Sequence, residues 1–302
     1  MLILPTAISA AEEAGAPSES LYQVKENEEN PFLPTGSEPQ ITATSYRSEN
    51  VSVTLTFDRL TVTSKPDGKK EYKNSSSYVV ADIYIRDITS LRRVFAKDKF
   101  GSTSDRIASM AEASGAVLAV NGDYSADLSC GVVVANGAVK RKTSNKKRDM
   151  LVILRDGTCE IIPYGTGKTW SAMLESGLMN EDTVWQCFLF GPNLLEEDGS
   201  PCAYKDMRSK TDICPANPRT VFGYYEPGHY CIVVADGRTS ESIGLRLEVI
   251  AQLMSDLGCR LAYNLDGGQS SQMWFGGSIQ NKPYKNGRRV NDALIICEPQ
   301  IP

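Results

Sequence analysis

From Val51 onward the chain is a succession of short apolar runs, rich in β-branched residues and separated by turn dipeptides. That pattern commits the chain to sheets joined by tight connections. Side chains along a strand alternate between faces, and the turns between strands draw on Gly, Asn, Asp and Pro. VSVTLTFDRLTVT (51–63) alternates with period two, and SSYVVADIYIRDI (76–88) repeats the signal. AVLAVNGDY, CGVVVANGAV, DMLVILRDG and TCEIIPYG follow as strand-like runs, with A-N-G and R-D-G as hairpin turns. RTVFGYYEPGHYCIVVADGR (219–238) reads as a further hairpin across E-P-G-H, and RLAYNLDGG, SQMWFGG and DALIICEP close the chain as strands.

Only two segments have helical spacing. One is SDRIASMAEASG (104–115), with Ser104 ahead of it as a cap and Gly115 as a stop. The other is GLRLEVIAQLMSDLGC, which puts Leu247, Ile250, Met254 and Leu257 on one face before Gly258. The expected fold class is therefore α+β: one domain, residues 46–302, with a mixed β-sheet and a few helices. Residues 1–45 are expected to be a disordered tail. They comprise an apolar leader ending in Ala-Ile-Ser-Ala-Ala, which resembles a trimmed signal or anchor segment, and an acidic linker. Between Ala11 and Asn50 there are eight Glu against one Lys and one Arg, with Pro17, Pro31, Pro34 and Pro39 among them.

Composition narrows the chemistry. The chain has 302 residues, 41% of them hydrophobic, enough for a large core, and a net charge of -5, which gives no broad basic field for nucleic acid. The runs Lys140-Arg141-Lys142 and Lys146-Lys147-Arg148 read as a solvated connection. A single histidine, His229, leaves Ser-His chemistry and multi-histidine metal sites without parts, and its place in E-P-G-H-Y suggests a solvated hairpin tip. No metal and no cofactor is expected. NGDYSAD (121–127) begins like a calcium loop, but Ala126 and Val132 stand where glycine and glutamate are required. GGQSSQM lacks the second glycine of a nucleophile elbow, Gln272 standing in its place. Trp170 and Trp185 read as core residues, and Trp274, three residues past the GGQSS turn, as a candidate platform for a sugar ring.

Eight cysteines contain no C-x-x-C pair. They read as disulfides of an exported, extracellular or cell-surface protein, with at least one bridge among Cys187, Cys202 and Cys214. The other possibility is buried thiols in a reducing compartment, as the strand positions of Cys159, Cys231 and Cys297 would allow. A membrane tether through the leader belongs to the same expectation.

Three segments combine acids, glycines and strand ends: AVNGDY (119–124), 217–238 and YNLDGGQSS (263–271). Their order, with Pro218-Arg219-Thr220, Asp236-Gly237-Arg238 and Asn264-Leu265-Asp266-Gly267-Gly268, resembles the phosphodiester glycosidase family over about 116–297. Ser125 and Gln269 depart from the family's pattern. The resemblance implies a hydrolase that cleaves the glycosidic bond of a sugar 1-phosphodiester, of the N-acetylglucosamine 1-phosphate type, leaving a phosphomonoester. The alternative is a non-catalytic glycan- or phosphoglycan-binding module.

Chemistry then suggests roles. Asp266, and after it Asp123, would stabilise an oxocarbenium-like state as nucleophile or base. Asp236 and Glu248 would aim the arginines. Arg219 and Arg238, the Gly267 and Gly268 amides and the Ser270 and Ser271 hydroxyls would bind phosphate, and Asn121 and Asn264 would bind sugar hydroxyls.

Overall fold

The computed structural model describes residues 20–124, 131–143, 148–163, 170–175, 177 and 179–300. The apolar leader, the calcium-like segment from Ser125 to Cys130 and the Lys146-Lys147 pair lie outside the described residues.

Among the described residues, seventeen strands form three sheets. The first, of seven strands, runs β1 (Gln40–Ile41), β2 (Ser45–Arg47), β3 (Val51–Ser64), β4 (Tyr72–Ile85), β13 (His229–Ala235), β12 (Arg219–Glu226), β14 (Leu261–Asn264). The second, of five, runs β10 (Cys159–Ile162), β9 (Met150–Leu154), β11 (Val184–Phe188), β7 (Val132–Ala135), β8 (Ala138–Lys142). The third, also of five, runs β16 (Ser278–Ile279), β15 (Met273–Phe275), β6 (Ala116–Asn121), β17 (Asp292–Cys297), β5 (Leu91–Phe95). Among the described residues, four short helices accompany them: α1 (Ile107–Ala113), α2 (Trp170–Glu175), α3 (Tyr204–Lys210) and α4 (Leu247–Asp256).

Strand content dominates, and the sheets are not mixed: every pairing between these strands is antiparallel. A parallel pair needs a long crossover. Here β3–β4, β7–β8, β9–β10 and β12–β13 are instead closed by short turns. The β7–β8 turn uses Asn136 and Gly137 at φ 53 and 75°, the left-handed pair that a tight hairpin requires.

One core joins the inner faces of all three sheets, drawing on Val53, Ile83 and Phe222 from the first, Leu151, Ile153 and Phe188 from the second, and Leu118, Phe275 and Leu294 from the third. Each outer face has its own helix. The helix α4 lays Leu247, Ile250 and Met254 on Val221, Cys231 and Val233, as its periodicity predicts. The helix α2 covers the second sheet through Trp170 and Met173, and α1 covers the third through Ile107 and Met110. Ser104 does not cap α1, whose N-cap is Arg106 without a side-chain bond.

Four expectations fail against this packing. The acidic segment is no free linker from Ser20 on, because several of its apolar residues are used: Tyr22, Phe32 and Leu33 are buried, and Leu21 N donates to Arg86 O at 2.8 Å. His229 is not a solvated tip residue. The turn takes Pro227 and Gly228, so His229 pairs in register with Tyr84, stacks between Tyr84 and Tyr225 at 4.0 and 4.3 Å, and bonds Asp82 at 2.8 Å. Trp274 is no sugar platform; it is buried beneath α1 in the outer core of the third sheet. The bridge expected among Cys187, Cys202 and Cys214 is not formed. Cys159, Cys187, Cys214, Cys231, Cys259 and Cys297 are buried free thiols and Cys202 is buried as well, with Cys187 in the α2-side core and Cys202 and Cys214 in the α4-side core.

The second and third sheets are joined by a buried charge cluster. Arg93 of β5 is fully buried against Asp123, just past β6, and Asp292 of β17, whose Oδ2 lies 2.6 Å from Nη2. Arg93 Nη1 also donates to the Cys187 carbonyl of β11 at 3.0 Å, and Asp123 Oδ2 accepts Leu189 N at 2.6 Å. Removing the cation strands two carboxylates out of water, so Arg93→Met is expected to cost about 3–5 kcal/mol. Urea unfolding of the two proteins measures it, and a loss under about 1 kcal/mol would show that water reaches the cluster.

Candidate active site

Several of the polar residues singled out from sequence gather at the ends of β6, β12, β13 and β14, around the turn from Asp266 to Gln272. Buried Asn121, the last residue of β6, braces that turn. Its Nδ2 donates to the Asp266 carbonyl at 2.7 Å, and its Oδ1 accepts Thr220 Oγ1 at 2.8 Å and Gln272 N at 3.4 Å. Asn121 is thus a brace, with no polar atom left over for a sugar hydroxyl.

Asp266 is half-buried and held on both oxygens. Oδ1 accepts Gly267 N at 2.8 Å, and Oδ2 lies 2.7 Å from Arg288 Nη2. Arg288 Nε donates to Ser270 Oγ at 2.6 Å, and its guanidinium lies 5.1 Å from the centre of the Tyr124 ring. Carboxylate, hydroxyl and guanidinium therefore form one triangle. Burial raises the Asp266 carboxyl above the usual carboxylate range, opposed by Ser270 and Arg288.

On the far side of the turn stands Asp236, at the end of β13. Its Oδ1 accepts Asn281 Nδ2 and Lys282 N, both at 3.0 Å, and the same Asn281 amide reaches the Ser271 carbonyl at 3.1 Å. Burial raises the Asp236 carboxyl too. Arg238 is exposed, bonded through Nε to Asn217 Oδ1 at 3.0 Å and set over Tyr284 at 5.6 Å. A Cβ on Gly268, at φ +66°, would come within 3.0 Å of that guanidinium, so glycine lets the arginine lie on the turn. Ser271 is fully buried below, and its hydroxyl has no hydrogen-bond partner among the described residues.

Of the residues singled out from sequence, Asp266, Asp236, Arg238, Gly267, Gly268, Ser270 and Ser271 come together, with Asn121 beneath them. The two glycine amides are already used: Gly267 N by Asp266, and Gly268 N by the Pro218 carbonyl at 3.0 Å. Four residues lie elsewhere. Asp123 belongs to the Arg93 cluster. Arg219 is buried, with Nε on Leu245 O at 2.9 Å and Nη2 on Ile213 O and Pro215 O at 2.7 and 2.6 Å. Its Nε and Nη2 thus grip backbone carbonyls of the chain itself, and burial pushes its pKa down to about 10. Glu248 accepts from Arg246 and from Ser64, at 2.6 and 2.9 Å. Asn264 donates to Gly191 O at 2.9 Å from within the core.

Arg288, Asn281, Lys282 and Tyr124 were not read from sequence as site residues. Arg288 sits in N-G-R-R-V, an ordinary turn, and only folding sets that turn against Asp266.

Antiparallel sheets share one core, and carboxylates and arginines meet at the strand ends around the Asp266 turn. Residues 114–297 match the phosphodiester glycosidase family, and the chain belongs to that family. Among solved structures, the fold is similar to the catalytic domain of zebrafish N-acetylglucosamine-1-phosphodiester alpha-N-acetylglucosaminidase auto-inhibited by its pro-peptide. The TM-score is 0.62 at 18% identity, covering 82% of this chain and 88% of that one. A hypothetical protein from Synechocystis is similar at TM-score 0.55 and 14% identity, over 82% of this chain and 62% of that one. At these identities the likeness is one of fold. In sequence, the chain is 29% identical over 208 residues to the SPbeta prophage-derived uncharacterized protein YomE of Bacillus subtilis, covering 66% of this chain and 31% of that protein. The chain thus spans less than a third of its curated relative.

Arg219→Lys separates the two places for this side chain. With its partners all backbone carbonyls, the substitution is expected to lower thermal stability while KM for a phosphodiester changes less than about twofold, since lysine cannot span the same carbonyls. A large rise in KM with unchanged melting would return Arg219 to the phosphate.

Proposed function

We propose that the chain hydrolyses the glycosidic bond of a sugar 1-phosphodiester, releasing the sugar and a phosphomonoester. The family supports the reaction class, and the similarly folded zebrafish enzyme's action on an N-acetylglucosamine 1-phosphodiester makes N-acetylglucosamine the sugar to test first. The observation that carries the reading is the Asp266–Ser270–Arg288 triangle with Arg238 across the Gly267–Gly268 turn.

A phosphodiester leaving group is already stable as an anion, so it gains more from cations than from a proton. Arg288 and Arg238 are placed on either side of the turn to take its non-bridging oxygens. The Asp266 carboxylate then serves the oxocarbenium-like state, as nucleophile or as base for water. Asp236, tied through Asn281 to the Ser271 carbonyl, holds the lower wall of the turn. No lid or closure is needed for these roles.

Incubation with a nucleotide-activated N-acetylhexosamine or a simpler α-sugar 1-phosphodiester, with chromatographic detection of free sugar, tests the activity. Asp266→Asn is expected to lower turnover by about 10²–10⁴-fold with an unchanged fold. Arg288→Lys is expected to lower kcat/KM by about 10–100-fold through the lost fork. Binding of the sugar phosphodiester by calorimetry with no turnover in the wild type would favour the glycan-binding module.

The rate should also depend on pH with a defined sign. Asp266 acts ionised, and burial raises its pKa above the ordinary 3.8, so activity is present at high pH and falls as pH drops through the raised value. The acid limb of the kcat/KM profile is therefore expected to lie above pH 3.8. A limb at or below it would show that another group carries the negative charge.

A further inference from the structure

Behind the seven-stranded sheet, two thiols meet. Cys231 of β13 and Cys259, which follows α4, have their sulfurs 3.5 Å apart, and both residues are buried, at 0 and 2% exposure. The space they share is kept open by Gly223, which faces Cys231 in register on β12. A Cβ on Gly223 would lie 2.6 Å from the Cys231 sulfur and 2.8 Å from the Cys259 sulfur.

We infer that Cys231 and Cys259 form a disulfide when the chain folds in the presence of a small-molecule or protein disulfide. A disulfide sets its sulfurs about 2.05 Å apart, so side-chain rotation needs to close only about 1.5 Å. In the first step the thiolate of one cysteine attacks the oxidant R–S–S–R, forming a mixed disulfide and releasing RS⁻. In the second the other thiolate displaces the remaining RS⁻. Two thiols lose two protons and two electrons, and R–S–S–R is reduced to two RSH.

Timing follows from burial. In the folded protein the Cys231 thiol is held protonated by its hydrogen bond to Cys259 and by burial, and no water-borne oxidant reaches either sulfur. The bond forms while the sheet and α4 are still closing, and afterwards resists reduction. It spans 28 positions of sequence and encloses the stretch carrying Asp236 and Arg238, so it fixes the start of β13 to the far end of α4 around those two residues.

Reduced, denatured chain is refolded with reduced and oxidised glutathione, the folded fraction is unfolded in alkylating agent, and it is digested without reduction for mass spectrometry. Cys231 and Cys259 are expected in one crosslinked peptide, about 2 Da lighter than the sum of the reduced pair. The melting temperature should be about 5 °C above that of protein refolded under full reduction. That shift should vanish in Cys259→Ser and in Cys231→Ser. Gly223→Ala, whose methyl group stands between the sulfurs, should lower the crosslink yield several-fold. Recovery of Cys231 and Cys259 as alkylated peptides from folded wild type, or joined to other cysteines, overturns the inference.

Discussion

A single buried guanidinium sets the geometry on which the candidate site rests. Arg93, fully buried, holds Asp123 and Asp292 from the ends of two neighbouring strands and a carbonyl from the adjoining sheet. An ion cluster of this kind gives modest net stability but strong positional demand, because any other arrangement leaves a bare charge in the core. It fixes the end of β6 against β17 and β11. Asn121 stands two residues before Asp123 and carries that fixed position onward into the Asp266 turn.

The same logic separates the site's acids by environment. Asp123 and Asp292 are neutralised deep inside the protein, whereas Asp236, buried, and Asp266, half-buried, meet donors from loops, and Asp266 meets an exposed arginine. Arginines divide likewise: Arg93 and Arg219 are structural cations with their donors directed at protein oxygens, and Arg238 and Arg288 keep exposed heads. Charge that is left near water is charge that a substrate can meet. This division, more than any one motif, locates the candidate site.

Antiparallel hairpins, the α4 amphipathic face and the Asn-Gly turn were legible in the sequence, because each depends on neighbours within a few residues. So were the acids and glycines of the Asp266 turn, since a polar turn at the end of an apolar strand is a local pattern. The partners of those acids were not legible. Arg219 and Arg238 look alike in sequence, each next to a strand end, yet one is folded under Leu245 and the Pro215 loop and the other lies over Gly268.

Sequence by itself determined the strand periodicities, the helix over 247–256, the family and the residues around which a site would form. Tertiary structure alone decided that Arg288 rather than Arg219 meets Asp266, that Asp123 faces Arg93, that Cys231 meets Cys259, and that Tyr22 and Phe32 are core. The physical reason is range. Backbone preference and side-chain alternation act over a few residues, whereas desolvation and ion pairing are set by whichever distant groups the sheets bring into contact, and those distances are encoded in no single segment.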